Sequence, residues 1–266
     1  GAARLPRRGA LVGTSPSLTY EQMIIRKTPE QVDQMAAAGD ILVRTMKVLK
    51  SKARPGITTL ELDEAAEKFI RSQGAVPSFK GYRGFPGSIC ASPNSMVVHG
   101  IPDQYECKRG DVLSIDIGVT YEGWVADAAV TVPIGPISTE AKRLLEVTSN
   151  SLFDGIEQMV PGNHLGDVSN AIQRSVESNG LSVIRTLVGH GIGREMHEEP
   201  QVPNFGEPGR GPLLEEGTVL AIEPMVNAGG PLVRMGDDGW SVFSEDGSLA
   251  AHFEFTVAVT PDGPRI

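Results

Sequence analysis

The stretch ARPGITTLELDEAAEKFIRSQG (residues 53–74) occurs a second time in this chain, as MVPGNHLGDVSNAIQRSVESNG (residues 159–180). The two copies align without a gap, and apolar residues recur between Pro-Gly and a final Gly at helical spacing. Further on, GDVLSID (residues 110–116) matches GTVLAIE (residues 217–223). Two copies are too few for a stacked repeat array, so the chain is predicted to form one domain with approximate two-fold symmetry, each half being two helices followed by strands.

The helices of the first copy have clear boundary signals. TPEQ (residues 28–31) is a capping-box pattern with proline at the first helical position, and Pro55-Gly56 ends the helix. The next helix is predicted over residues 59–74. Its buried face is predicted to consist of Leu62, Ala65, Ala66, Phe69 and Ile70.

Composition excludes several classes of protein. The chain has 266 residues, 40% of them hydrophobic, and no apolar run long enough for a membrane helix or a signal peptide. Two cysteines, Cys90 and Cys107, are too few for a disulfide scaffold, so we expect a cytoplasmic protein. The net charge of −9 argues against a nucleic-acid binder, which normally has a basic face.

The predicted domain boundary lies near residue 28. Residues 1–27 show little periodicity and are expected to form a flexible extension, whereas residues 28–266 are expected to form a single domain with pseudo-repeats at about 28–135 and 136–262. Arg4, Arg7 and Arg8 make the extension locally basic, which suggests contact with the ribosome. Unchanged ribosome cosedimentation after deletion of residues 1–26 would contradict that hypothesis.

Acidic residues interrupt apolar strand patterns at several places. Asp116 lies in VLSIDIGV, Glu223 in VLAIEPMV and Glu254 in HFEFTVAV. Folding residues 111–133 into a hairpin about the midpoint of residues 121 and 122 places Asp116 directly opposite Asp127. Burying an ionised carboxylate is costly unless it is compensated, and a divalent cation is the simplest remedy for so many acids.

Histidines complete the predicted cation site. GHGIGREMHEEP (residues 189–200) contains His190 and His197, and its glycines let the backbone pass close to a bound group. This favours His190 as a ligand and His197 as a reacting neighbour. His99 is a second candidate hydrogen-bond donor, and His252 shares the face of Glu254, either around the site or in packing. Four carboxylates and one imidazole suit two divalent ions such as Mn, Fe or Co.

Six motifs in a fixed order resemble one known family. They are GYRGFPGSICASPNSMVVHGIP (residues 81–102), the hairpin with Asp116 and Asp127, GHGIGREMHEEP, TVLAIEPMVNAG (residues 218–229), DDGW (residues 237–240) and HFEFTVAVT (residues 252–260). Together they resemble the bacterial, N-terminally extended type I methionine aminopeptidases, over roughly residues 27–261. The resemblance implies the α+β pita-bread fold, a curved antiparallel sheet with helices packed on one face.

The resemblance also implies a reaction and its residues. The family removes the N-terminal methionine from nascent polypeptides with a small second residue, by attack of a water held between two divalent ions (Co, Mn, Fe or Zn), and acts as a monomer. By resemblance, His99 and His197 contact the substrate, and Glu223 also moves a proton. The implied metal ligands, of which Asp127 and Glu254 bridge, are Asp116, Asp127, His190, Glu223 and Glu254. The implied substrate pocket consists of Phe79, Tyr82, Phe85, Cys90, His99, Met196, His197 and Trp240.

Two other functions fit parts of the pattern. Xaa-Pro aminopeptidases and prolidases share the fold and the ligand pattern, but a large domain typically precedes their catalytic domain. Here the first pseudo-repeat occupies most of the 115 residues before Asp116. A pita-bread module that binds without catalysis would be expected to lose ligands, whereas all five are present.

Overall fold

The structure is a computed structural model, and it describes residues 23–266. Most of the predicted N-terminal extension, with Arg4, Arg7 and Arg8, lies outside the described residues. The helices of the described part are α1 (Pro29–Lys52), α2 (Thr59–Ser72), α3 (Thr139–Ile156) and α4 (Leu165–Glu177). Among these residues, no helix has both the length and the apolar character required to span a membrane.

Fifteen strands accompany the helices in residues 23–266. The first eight are β1 (Val76–Pro77), β2 (Ile89–Pro93), β3 (Met96–Val98), β4 (Val112–Tyr121), β5 (Trp124–Pro133), β6 (Ser182–Val183), β7 (Gly189–Gly191) and β8 (Glu198–Val202). The others are β9 (Val219–Ile222), β10 (Met225–Asn227), β11 (Val233–Met235), β12 (Val242–Ser244), β13 (Ala250–His252), β14 (Glu254–Thr260) and β15 (Gly263–Arg265).

One large antiparallel sheet organises the described domain. Its strands follow the order β1-β4-β5-β14-β9-β7-β8, with β2 paired to β4 and β15 paired to β14. Two three-stranded sheets, β13-β10-β6 and β11-β12-β3, lie beside it. Strand β14 joins the two halves, because it pairs with β5 of the first half and β9 of the second.

The observed helix boundaries confirm the predicted start of α1, and α2 is shorter than predicted. Thr28 caps α1 through the predicted capping box with Gln31, and a proline occupies the first turn. Helix α2 ends at Ser72, two residues before the predicted end, and Gly74 follows with a left-handed φ of 72°. Of its predicted buried face, Leu62, Ala66 and Ile70 are buried, whereas the other two residues are half-buried.

Each helix pair packs on its own half of the sheet. Helices α1 and α2 bury their apolar faces against β4 and β5, in a core that includes Leu49, Leu62, Ile115 and Ile117. Helices α3 and α4 form the equivalent core against β9 and β14. The predicted α+β pita-bread architecture, with helices on one face and paired halves, is confirmed, and the opposite face of the sheet is left for the site.

The hairpin register differs from the prediction by two residues. Strands β4 and β5 are linked by a two-residue turn at Glu122 and Gly123, both with left-handed φ angles of 49° and 77°. Asp127 therefore lies opposite Gly118, and Asp116 lies opposite Ala129. The predicted direct pairing of the two acids was wrong because that turn lies one residue later than the assumed midpoint. A shift of two residues keeps both acids on one face.

Candidate metal centre

Five neighbouring strands each bring one of the predicted ligands to the same cavity. Asp116 lies on β4, Asp127 on β5, Glu254 on β14, Glu223 immediately after β9, and His190 on β7. These strands are consecutive in the sheet. Since alternate residues face opposite sides of a strand, the apolar neighbours Ile115, Ile117, Ala126 and Ala128 face the helices.

The ligand atoms form two groups that share one residue. Asp127, His190 and Glu254 offer atoms within 4.8 Å of one another, and so do Glu223, His252 and Glu254. The Nε2 atom of His190 lies 3.7 Å from Oδ2 of Asp127 and 3.5 Å from Oε1 of Glu223. Glu254 is the residue common to both groups. Asp116 belongs to neither group but lines the same cavity.

His252 is closer to the acids than the sequence could establish. Its side chain is 2% exposed, and its Nε2 lies 3.3 Å from Oε2 of Glu223 and 3.7 Å from Oε2 of Glu254. Neither ring nitrogen has a hydrogen-bond partner among the described residues. Of the two predicted alternatives, the structure favours a place around the site. The period-2 spacing from Glu254 was the available signal.

Buried charge makes this cluster suited to cations. Burial, followed by the charges of Asp127 and Glu223, raises the pKa of both Asp116 and Glu254 well above the ordinary range. One carboxylate oxygen each of Asp116, Asp127 and Glu254 is buried without a hydrogen-bond partner among residues 23–266. Oxygen donors and imidazole in this setting fit divalent cations, which would compensate the charge and fill the free lone pairs.

Neighbouring groups orient the His190 ring and shift its pKa. Burial alone would lower its pKa, but Asp127 and Glu223 outweigh that effect and raise the pKa to about 9. Its Nδ1 lies 2.9 Å from the carbonyl oxygen of Gly191, so an N–H donated there directs Nε2 toward the acids, and Nε2 must lose its proton before it can bind a cation.

The glycines beside His190 accommodate neighbouring backbone. A Cβ at Gly189 would lie 2.3 Å from the carbonyl oxygen of Ala221, and one at Gly191 would lie 2.1 Å from that of Glu199. The sequence predicted close approach to a bound group. In the structure these two glycines instead allow strands β8 and β9 to pack tightly against β7.

The two other predicted histidines also line the cavity. The Nδ1 atom of His197 lies 2.8 Å from Oη of Tyr82, and the His197 and His190 rings are 4.2 Å apart between centroids. Burial, followed by the neighbouring His190, lowers the pKa of His197 to about 4. His99 has a left-handed φ of 61°, a strained conformation for a residue other than glycine, and burial lowers its pKa.

A buried ion pair holds the loop that carries His197. Nζ of Lys27 lies 2.6 Å from Oε2 of Glu198, and the two side chains are 3% and 4% exposed. Oε1 of Glu198 accepts from the backbone N–H groups of Arg194 and Glu195. A Cβ at Gly193 would lie 2.5 Å from Cε of Lys27, so the ion pair requires glycine there. The last residue of the predicted extension is thus tied to the site.

The cavity beside the cluster has a volume of about 220 Å³ and mixed walls. Seven of the eight predicted pocket residues line it, namely Phe79, Tyr82, Phe85, Cys90, His99, His197 and Trp240. Phe85 and Trp240 meet edge to face, with ring centroids 5.2 Å apart. Burial, followed by nearby carboxylates, raises the pKa of the Cys90 thiol well above its usual range, so this thiol is a neutral wall atom.

Met196 packs in the core beside two residues that line the cavity. It is 4% exposed, is not among the lining residues, and packs in the core cluster that Phe79 and Tyr82 touch. A Cβ at Gly118 would lie 2.7 Å from Cε of Met196 and 2.8 Å from Cε1 of Phe79. Met196 therefore packs beside Phe79 in the core, and its predicted role as a wall residue stays a prediction.

Sequence reasoning missed five residues that line the cavity: Arg83, Val98, Leu187, Val188 and Met225. Val98 precedes His99, and Met225 follows Glu223 by two positions, so both had a usable signal. Leu187 and Val188 lie in a loop without periodicity and had none.

Comparison with known proteins identifies the family. Residues 33–261 match the model of metallopeptidase family M24. The chain belongs to this family. Within M24, a methionine aminopeptidase of Clostridium perfringens is 56% identical over 244 residues, which cover 92% of this chain and 98% of that protein.

Two solved structures have a similar fold. The methionine aminopeptidase of Rickettsia prowazekii has a TM-score of 0.90 and 40% identity, with 92% of this chain and 99% of that chain covered. The prolidase of Pyrococcus furiosus has a TM-score of 0.73 and 20% identity, with 92% of this chain and 65% of that chain covered. The likeness to prolidase, at 20% identity, shows a shared fold alone. At 56% and 40% identity to the methionine aminopeptidases, the chain groups with these enzymes.

Proposed function

We propose that the chain removes the N-terminal methionine from nascent polypeptides whose second residue is small. The supporting observation is the convergence of buried, partly unpaired carboxylates and His190 from five consecutive strands beside a cavity with apolar and aromatic walls. In this proposal Asp116, Asp127, His190, Glu223 and Glu254 would hold two divalent cations, Co, Mn, Fe or Zn.

The protein's own groups have separate tasks in this reaction. When bound, a pair of divalent cations acidifies water and polarises the scissile carbonyl, as in other two-metal aminopeptidases. Glu223 is 12% exposed and faces the cavity, so its carboxylate accepts a proton there and passes it to the leaving amine. His99 and His197 donate hydrogen bonds to the substrate carbonyl as it gains negative charge.

The cavity walls determine which first residue is accepted. Aromatic rings and a neutral thiol favour an unbranched, polarizable thioether over a charged or branched side chain. In this proposal the first residue of the substrate lies between Tyr82, Phe85, Cys90 and Trp240, and its free amine lies beside the metal ligands. We further propose that the enzyme is a cytoplasmic monomer, and that residues 1–27 contact the ribosome.

A peptide-release assay tests the proposed function. Metal-free protein is loaded with Mn or Co and offered Met-Ala-Ser and Ala-Pro-Ser, and the released first residue is measured. We expect metal-dependent release of methionine alone, loss of this activity in Asp127→Asn, and its retention in Asp154→Asn, which alters an exposed acid on α3. Cleavage before proline would instead indicate a prolidase-like enzyme, and absence of both reactions with metal bound would indicate a binding module.

A further inference from the structure

Tyr82 contacts His197 more specifically than a pocket wall requires. Its Oη lies 2.8 Å from Nδ1 of His197, and the two rings stack with centroids 5.4 Å apart and planes at 26°. No other side-chain hydrogen bond to His197 occurs among the described residues. The His190 ring touches His197 at a centroid distance of 4.2 Å, but this contact does not fix which nitrogen faces the cavity.

The backbone around Tyr82 is held in an unusual conformation. Tyr82 begins a one-turn 3-10 helix, Tyr82–Gly84, in which Arg83 has a left-handed φ of 49°. That region is sparsely populated by residues other than glycine. The turn is closed by the N–H of Gly81 donating to the carbonyl of Phe85 at 2.8 Å, and by the N–H of Phe85 donating to the carbonyl of Tyr82 at 2.9 Å. These bonds fix the backbone position from which the Tyr82 side chain projects toward His197.

The tautomer of His197 depends on the direction of this hydrogen bond. A phenol hydroxyl can donate or accept, and the 2.8 Å separation of Oη of Tyr82 from Nδ1 of His197 fits either direction. In a neutral imidazole one nitrogen is a donor and the other an acceptor, so a hydroxyl that donates to Nδ1 leaves the proton of His197 on Nε2.

We propose that Tyr82 is a positioning residue that holds His197 with a protonated Nε2 available to the substrate carbonyl. The His197 ring lines the cavity and its Nδ1 edge is occupied by Tyr82, so the Nε2 edge is left for the substrate. This role rests on the proposed function. It assigns the hydroxyl of Tyr82 to the reaction and its ring to the pocket.

Tyr82→Phe separates the two parts, because it keeps the ring and removes the hydroxyl. With the metal-loaded enzyme and Met-Ala-Ser, we expect kcat to fall about tenfold, the factor that one hydrogen bond of ordinary net strength supplies, with KM within about twofold. Tyr121→Phe is the matched control, since Tyr121 packs on the α1–α2 core and its hydroxyl has no hydrogen bond among the described residues. It should leave both constants unchanged.

A spectrum of the histidine side chains provides a readout independent of activity. In ¹⁵N-labelled, metal-free protein at mildly alkaline pH, the His197 signals are identified by their loss in His197→Gln. We expect an unprotonated Nδ1 and a protonated Nε2 in the wild type, and a mixture of tautomers in Tyr82→Phe.

Several results would overturn this role of Tyr82. They are a protonated Nδ1 in the wild type, an unchanged kcat in Tyr82→Phe, or a raised KM with unchanged kcat, which would leave Tyr82 as a wall alone. If the loaded wild type releases no methionine, the proposed function fails, and the spectra still decide whether the hydrogen bond sets the tautomer.

Discussion

Replacing Lys27 with methionine should destabilise the protein by about 3 kcal/mol, because the change strands a buried carboxylate. Lys27 and Glu198 are 2.6 Å apart and almost fully buried. Removing one partner of a buried pair costs about 3–5 kcal/mol, since the remaining charge is neither solvated nor paired. Glu198 keeps two backbone N–H donors, from Arg194 and Glu195, so we expect the lower end of that range.

Urea unfolding of the metal-free variants measures this effect. The matched control is Arg26→Met, one residue earlier, which breaks the 2.9 Å pair between Arg26 and Glu215. Those side chains are 55% and 53% exposed, so the expected loss is about 0–1 kcal/mol. In the double variant Lys27→Met, Glu198→Gln, the buried position is neutral and can still accept both N–H bonds, so part of the loss should be recovered.

Two outcomes would refute the reasoning about this ion pair. One is a loss in Lys27→Met no larger than in Arg26→Met, which would mean that the pair is solvated. The other is a double variant no more stable than Lys27→Met, which would mean that the stranded charge of Glu198 is not the cause.

Three further predictions concern the site. The pKa of His190 is raised from 6.5 to about 9 in the folded protein, so the stability that this residue contributes is present below pH 6.5 and is lost as the pH rises through 9. The pKa values of Asp116 and Glu254 are also raised, so these residues likewise make the protein less stable as the pH rises. The urea concentration at the unfolding midpoint of the metal-free protein should therefore decrease as the pH is raised from 6 to 9. An increase over this range would contradict the reasoning. Gly118→Ala should raise KM for Met-Ala-Ser several-fold by displacing Phe79. An unchanged KM would show that the cavity wall accommodates the added methyl group without impairing substrate binding. Glu254→Gln removes the carboxylate that is common to both ligand groups, so calorimetric titration should show less than one bound Mn ion per chain. If the variant binds as much Mn as the unaltered protein, Glu254 is not a shared ligand.

The hairpin of β4 and β5 shows how far local sequence carries a prediction. Alternation of apolar and polar residues predicted both strands and the shared face of Asp116 and Asp127. The register depended on which residues took left-handed backbone angles, and these are Glu122 and Gly123. A two-residue error preserves the face but changes every cross-strand partner.

The helix ends and the strand-borne acids could be predicted because they depend on neighbours within a few residues. Capping boxes, Pro-Gly stops and period-2 alternation are local properties, and the internal repeat related the two halves. The sequence therefore determined the helix pairs, the sheet and the strands on which the acids lie.

Contacts between distant segments required the tertiary structure. Tyr82 and His197 are 115 residues apart, and Lys27 and Glu198 are 171 residues apart, yet each pair is in direct contact. The approach of His252 to Glu223 and the packing of Met196 beside Phe79 likewise depend on how separate strands and loops pack. Local patterns determine which face a side chain occupies, whereas its distance from a residue elsewhere in the chain is set only when the strands pair and the loops close over them.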